Sequence, residues 1–301
     1  MAAMPTIPAK TILSTYSEWG WFGSNYTMNI YKGCCHGCIY CDSRSACYGV
    51  ENFDTVRVKE NALEVIERDL KSKRKKGIII TGSMSDAYNP FEKELELTRG
   101  AIGLIDKYGF GFAVDTKSDL VLRDIDAVKS VQTHSPVAVS FTVTTADDAL
   151  GQRIEQNVCS SGSRFSAIEK LAGQGIPCGV LLMPILPFIN DTVENIMEIV
   201  RRAHQSGARW IYAGESFAVT LRQNQRDHFY EKLDRHFPGV KAKYQQQFGF
   251  EYWCPSPKNA ELWAVFTAEC NRLGILYEMD KISGYVKGCC KAGQTSLFPI
   301  D

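Results

Sequence analysis

Residues 31–45 read YKGCCHGCIYCDSRS, placing Cys34, Cys35, Cys38, Cys41 and His36 within fifteen positions. Cys34, Cys38 and Cys41 fall at i, i+4 and i+7, which on an α-helix would form one apolar stripe. Gly33, Gly37 and the strand-like lead-in MNIY favour an irregular loop instead. Three thiols gathered on one loop are a metal-binding arrangement. A zinc site would need a fourth ligand from Cys35, His36 or Cys47. An iron–sulfur cubane, with one iron on each thiolate, suits the loop equally well.

Outward from this loop the chain alternates between two periodicities. Runs rich in β-branched and aromatic residues occur at 25–31, 77–81, 111–116, 137–143, 178–184 and 210–215. Between them lie helical stripes such as Leu63, Val65, Ile66 and Leu70, or Leu95, Leu97, Ile102, Leu104 and Ile105. A further helix opens at an N-cap on Asn190 or Asp191 and closes at Gly207. This βαβα pattern predicts a parallel sheet with helices outside it, an α/β partial (β/α)6 barrel. An N-terminal extension covers 1–24, the barrel core 25–220, and a C-terminal helical extension packed on the barrel 221–301. In such a barrel reactive groups gather at the C-terminal ends of the strands. The cysteine loop, GSMSDAY, TKSD, SFTVTT and Glu215 all fall there.

Composition narrows the class. With 301 residues, 45% hydrophobic and 23% charged, the chain has a globular make-up and should bury roughly three quarters of its unfolded surface. Its 34 basic and 34 acidic residues cancel, so global charge does not call for a polyanionic partner. The run KSKRKK at 71–76 reads as a solvated helix end. No apolar stretch is long enough to span a bilayer and MAAMPTIPAK has no signal-peptide core, which predicts a cytoplasmic protein without membrane partners. In that reducing setting eleven cysteines point to metal or redox chemistry rather than disulfides.

Cys-x3-Cys-x2-Cys with Tyr40 just before the last cysteine resembles the radical S-adenosylmethionine (SAM) enzymes. GCCHGCIYCDSRS, SDAYNPFEKE, TKSDLVLRDID and PILPFIND narrow the resemblance to the spore photoproduct lyase-related branch, over about residues 25–285. The resemblance implies a 4Fe–4S cluster on Cys34, Cys38 and Cys41, with SAM chelated at its open iron. It implies a SAM site near Tyr40, Ser85, Asp86, Lys117, Ser118 and Ser140. Lys117 fits that role physically, since an ammonium pairs well with the cofactor carboxylate in a desolvated pocket. The implied chemistry is reductive cleavage of SAM to a 5′-deoxyadenosyl radical that abstracts a substrate hydrogen, fed by a low-potential donor such as flavodoxin or ferredoxin. Nucleic acid, a DNA lesion in particular, is the expected substrate; a peptide or small metabolite is the alternative.

One position departs from the pattern. The spore photoproduct lyases proper carry a hydrogen-donating cysteine before the Ser-Asp pair, where this chain has Met84. A thioether cannot donate hydrogen as a thiol does, so Cys35, Tyr88 or Cys290 is expected to take that part. Cys254, Cys270, Cys289 and Cys290 are the candidates for a second cluster, while Cys159 and Cys178 read as packing. QTSLF, Gln294 to Phe298, resembles the pentapeptide by which bacterial repair and replication proteins bind the sliding clamp, with Thr295 off the pattern. It reads alternatively as a tail folded over the barrel. The rival from another class is a clamp-associated binding protein with a structural metal site; SDAY and TKSD speak against it.

Overall fold

The computed structural model describes residues 4–16, 20–214 and 216–289. Its centre is a seven-stranded sheet: β1 (Leu13–Thr15), β2 (Tyr26–Met28), β3 (Ile78–Thr81), β4 (Gly111–Thr116), β5 (Val137–Thr142), β6 (Cys178–Leu181) and β7 (Trp210–Tyr212). The spatial order is β7-β6-β5-β4-β3-β2-β1. β2 to β7 are parallel, and β1 adds an antiparallel edge against β2. Each parallel step is made by a helix: α1 (Ala62–Ser72), α2 (Leu97–Lys107), α3 (Ile125–Gln132), α4 (Ser161–Gly173) and α5 (Val193–Gln205). Six parallel strands in sequence order with helices on one side make the expected open barrel.

The two faces of the sheet are chemically distinct, as the two-residue period of a strand requires. Ile79, Phe112, Val114, Val139, Phe141 and Val180 face the helices in the main core. Ile78, Ile80, Ala113, Ala138, Leu181 and Trp210 face inward. The inward residues are smaller at the centre, and at Gly179 an added Cβ would lie 2.5 Å from the Trp210 indole. At the C-terminal ends the same inward face turns polar, at Asp115 and Ser140.

The N-terminal segment is structured and contributes to the barrel. Thr6–Ile7 pairs with Arg57–Lys59, which pairs in turn with Tyr31–Lys32 ahead of the cysteine loop. The turn Trp21–Gly23 enters the barrel interior, where buried Phe22 meets Trp210. After β7 come the hairpin strands β8 (Ala218–Thr220) and β9 (Trp253–Pro255), with α6 (Gln223–His236) and α7 (Val240–Phe248) between them. α8 (Asn259–Leu273) then packs on α5, and α9 (Met279–Gly288) brings Ile282 and Val286 to Phe22 and Trp210. The extension is therefore a mixed structure whose last described helix helps fill the barrel.

α5 begins later than expected. Thr192 is its N-cap and accepts from the Asn195 amide. Asn190 instead accepts from the Leu186 amide at 2.6 Å, and Asp191 from the Ser256 hydroxyl at 2.6 Å. Both cap-forming side chains are engaged by tertiary partners.

Candidate functional site

The loop after Tyr31–Lys32 carries Cys34, Cys38 and Cys41 to the C-terminal rim of the sheet. There they line one cavity of about 80 Å³ with His36, Ser43, Met84, Asp115 and Lys117 among the other walls. Gly33 makes the entry turn at φ 82°, where a Cβ would lie 2.4 Å from the Thr55 carbonyl oxygen. The loop is anchored from both sides. Cys34 donates its amide to the Phe53 carbonyl, and the Ser85 hydroxyl donates to the Gly33 carbonyl. On the far side Cys38 bridges Glu155, the Ile39 amide donates to Ile154, and the Asn157 amide donates to His36.

Burial pushes the Cys34 thiol up to about 12 and raises Cys38 and Cys41 as well. Cys41 also raises Cys34, and the charges of Cys41 and Cys34 raise Cys38, so the three sense one another. Amides of His36 and Asp86 oppose the rise at Cys34, as the amide and hydroxyl of Ser43 do at Cys41. Such donors to sulfur are what tune the potential of a cluster. Among the described residues, no three His, Cys, Asp or Glu side chains are grouped tightly enough to share one metal ion.

Lys117, just after β4, enters the same cavity, with its ammonium 5.8 Å from the Tyr40 ring centre. Burial works against its charge, but Cys38, Glu155 and Asp86 outweigh that cost and hold the amine above its ordinary range. A second opening of about 480 Å³ adjoins the first and shares His36 and Lys117 with it; Ser118 and Tyr88 are on its wall. The combined space is in the range for a nucleoside cofactor.

Several expected cofactor residues perform structural work. The Asp86 carboxylate accepts from the amides of Tyr88 and Lys117 at 2.8 Å each and from the Thr116 hydroxyl, and lies 3.6 Å from His36 Nδ1. It joins the ends of β3 and β4. Ser118 caps the turn after β4, accepting from the Leu120 amide at 3.3 Å. Ser140 is buried on β5 beside Asp115. Tyr40 is buried and donates to Glu155. Tyr88 is almost fully buried, with Asp124 beside its hydroxyl, and borders the larger opening rather than the cysteine cavity.

Sequence reasoning missed Glu155, Arg164, Asp115 and Trp21. Glu155 and Arg164 are each 2% exposed and form an ion pair at 2.6 Å. Burial opposes the Glu155 charge, yet Arg164 and Lys117 hold its pKa below the usual carboxylate range. Arg164 also donates to the Thr142 and Cys159 carbonyls, tying α4 to the end of β5 and to the segment just before the helix. Within QRIEQNVCSSGSRF neither residue had a partner legible from spacing. Asp115 did leave a signal, as the one charge in GFAVDT.

Cys254 and Cys270 lie in separate hydrophobic clusters, so the fold does not unite them. Cys290 and the segment Gln294 to Phe298 fall outside the described residues, as does Glu215. No helix among the described residues is long and apolar enough to cross a membrane.

A family model described as the Radical SAM superfamily matches residues 28–203. An uncharacterized protein of Mycobacterium tuberculosis is 26% identical over 230 residues, covering 74% of this chain and 67% of its own length. An uncharacterized protein of Methanocaldococcus jannaschii is 37% identical over 172 residues, covering 56% of this chain and 63% of its own. Among solved structures, a spore photoproduct lyase complexed with dinucleoside spore photoproduct superposes with a TM-score of 0.64 at 15% identity, over 84% of this chain and 75% of the lyase. A variant of that lyase with bound AdoMet and the same dinucleoside gives 0.62 at 14% identity, over 85% and 77%. These likenesses are of fold.

Proposed function

The chain belongs to the radical SAM superfamily, and from that premise we propose that it acts on nucleic acid, with a DNA lesion as the foremost substrate. It is a radical SAM enzyme, and its cofactors are a 4Fe–4S cluster and SAM. The donor set fits the pair: three thiols and a buried ammonium converge on one cavity with a nucleoside-sized opening beside it. When bound, cluster and cofactor supply an electron and a 5′-deoxyadenosyl radical for hydrogen abstraction. The chain needs a one-electron reductant, for which a flavodoxin or ferredoxin is suitable.

In this reading Cys34, Cys38 and Cys41 hold the cluster. Lys117 pairs with the cofactor carboxylate, while Asp86 and Ser85 fix the segments that carry these groups. Tyr40 shields the ammonium from below and is itself held by Glu155. Met84 stands on the cavity wall, where its thioether has no hydrogen to give. Substrate radical quenching therefore falls to another donor, for which Cys290 is a candidate.

The observation that carries the nucleic-acid reading is the fold likeness to a lyase that binds a dinucleoside lesion, extending over 84% of this chain. Anaerobic reconstitution and assay for 5′-deoxyadenosine, with and without ultraviolet-irradiated DNA, test it. Irradiated DNA should stimulate 5′-deoxyadenosine formation and be chemically altered in proportion. Equal formation with and without DNA, and intact lesions, would turn the reading toward a peptide or small metabolite.

A further inference from the structure

The basic run KSKRKK reads in sequence as a solvated helix end, but α1 stops at Ser72, and residues 73–76 form the link that enters β3. Lys75 and Lys76 line a cleft of about 510 Å³ beside the N-terminal ends of β2 and β3. Lys287 of α9 lines it from the other side and lies against Gly23, where an added Cβ would be 2.8 Å from its Cε and 3.4 Å from its Nζ. Lys71 and Lys107 are neutralised by Glu67. Lys75, Lys76 and Lys287 are exposed and have no carboxylate partner among the described residues. Lys76 extends over the Phe110 ring, 4.3 Å from its centre. Asp280 is the one acid on the cleft wall among the described residues, and the Ser283 hydroxyl beside it has no hydrogen-bond partner among them. In a chain whose 34 basic and 34 acidic residues cancel, three unpaired ammonium groups around one cleft concentrate positive charge locally. The cleft adjoins the reaction site through Trp21. That residue forms part of the cleft wall and donates its indole N–H to Asp115 at 2.8 Å, and Asp115 lines the cysteine cavity.

We propose that this cleft binds the phosphodiester backbone of the substrate strand, with Lys75, Lys76 and Lys287 contacting phosphates and Ser283 adding a hydrogen-bond donor. This rests on the nucleic-acid reading above and adds where the strand is held. Lysine suits the task, because its ammonium acts as a point charge on a flexible stem and can follow a phosphate without demanding one fixed geometry. Contacts of this kind position a strand and carry no sequence information. Choice of lesion is left to the rim of the cysteine cavity.

The test uses cluster-loaded enzyme with SAM, and measures affinity for single-stranded oligothymidylate, irradiated or not, over a series of KCl concentrations. Each phosphate contact to a single strand contributes about 0.7 to the slope of log K against log salt concentration. The triple variant Lys75→Gln, Lys76→Gln, Lys287→Gln should therefore lose about 2 from that slope. Irradiated and unirradiated strands should weaken by the same factor, on the order of tenfold or more. Arginine at the same three positions keeps the charge and should keep the wild-type slope. Lys129→Gln, Lys170→Gln and Lys243→Gln together take the same charge from α3, α4 and α7 and should leave the slope unchanged. An unchanged slope in the cleft variant, or an equal loss in the distant one, would overturn the proposal and leave the nucleic-acid reading standing. So would loss of the slope in the arginine variant. Binding of neither strand by the wild type would end the nucleic-acid reading and this inference with it.

Discussion

Asp115 also has a consequence for stability that can be measured apart from any substrate. Burial raises its carboxyl from an ordinary 3.8 to about 7, with Trp21, Ser140 and Lys117 opposing the rise. Between those values the folded chain holds a proton that the unfolded chain releases. The stabilising contribution is therefore complete below pH 4 and declines as pH rises to 7. Asp115→Asn should escape the decline, gaining on the wild type by up to ~1.4 kcal/mol per pH unit in that window. Denaturant unfolding at pH 5 and 8 reads the difference, and parallel stabilities at both pH values would contradict it. Lys117 gives a second test at this scale. Lys117→Met keeps much of the stem and removes the ammonium, so SAM affinity should fall about tenfold or more, as for a charge-assisted bond worth ~1.5–3 kcal/mol. Unchanged cofactor affinity in a labelled-SAM titration would remove Lys117 from the site.

Among elements, the parallel strands were the most legible. Six apolar runs matched six strands because both faces of this sheet are buried and its residues read as near-continuous hydrophobic stretches. α4 was missed because Ser161, Gly162 and Ser163 blur its first turn, and α9 because Gly284 and Gly288 interrupt its pattern. The cysteine spacing disclosed the loop, yet nothing local disclosed what grips it, since Glu155 and Arg164 meet only through the fold. Arg164 links that segment to α4 through Glu155 and two carbonyls. Arg164→Met would leave the Glu155 carboxylate buried without its cation and should cost ~3–5 kcal/mol. The double variant Glu155→Gln with Arg164→Met should cost less than the sum of the two single changes. Strict additivity in a double-mutant cycle would mean that the two side chains act independently.

For the whole molecule, cofactor and fold should be thermodynamically linked. At a SAM concentration of 100 times its dissociation constant, the loaded enzyme gains ~2.7 kcal/mol if only the folded state binds. Its melting temperature should rise accordingly. A variant with Cys34, Cys38 and Cys41 all changed to Ala should lose its iron and sulfide and show little of this shift. Retention of all its iron would rule out the cysteine assignment. What sequence could not supply at this scale was the meeting of two segments far apart in the chain. Trp21–Gly23 and α9 lie more than 250 residues apart, yet they pack together inside the barrel, and Trp21 reaches from there to Asp115.

The backbone bonds that hold the cysteine loop bear on how the enzyme matures. Cys34 to Phe53, Ile39 to Ile154 and Asn157 to His36 are contacts of the polypeptide with itself. They give the thiols a ready-made mould. In a zinc finger the metal supplies the folding energy, and chelation unravels the domain. If these bonds suffice to hold the loop, iron delivery is expected to follow folding, and newly made protein should wait for its metal without being treated as misfolded. A culture starved of iron should accumulate a colourless, protease-resistant form that turns brown on supply without refolding.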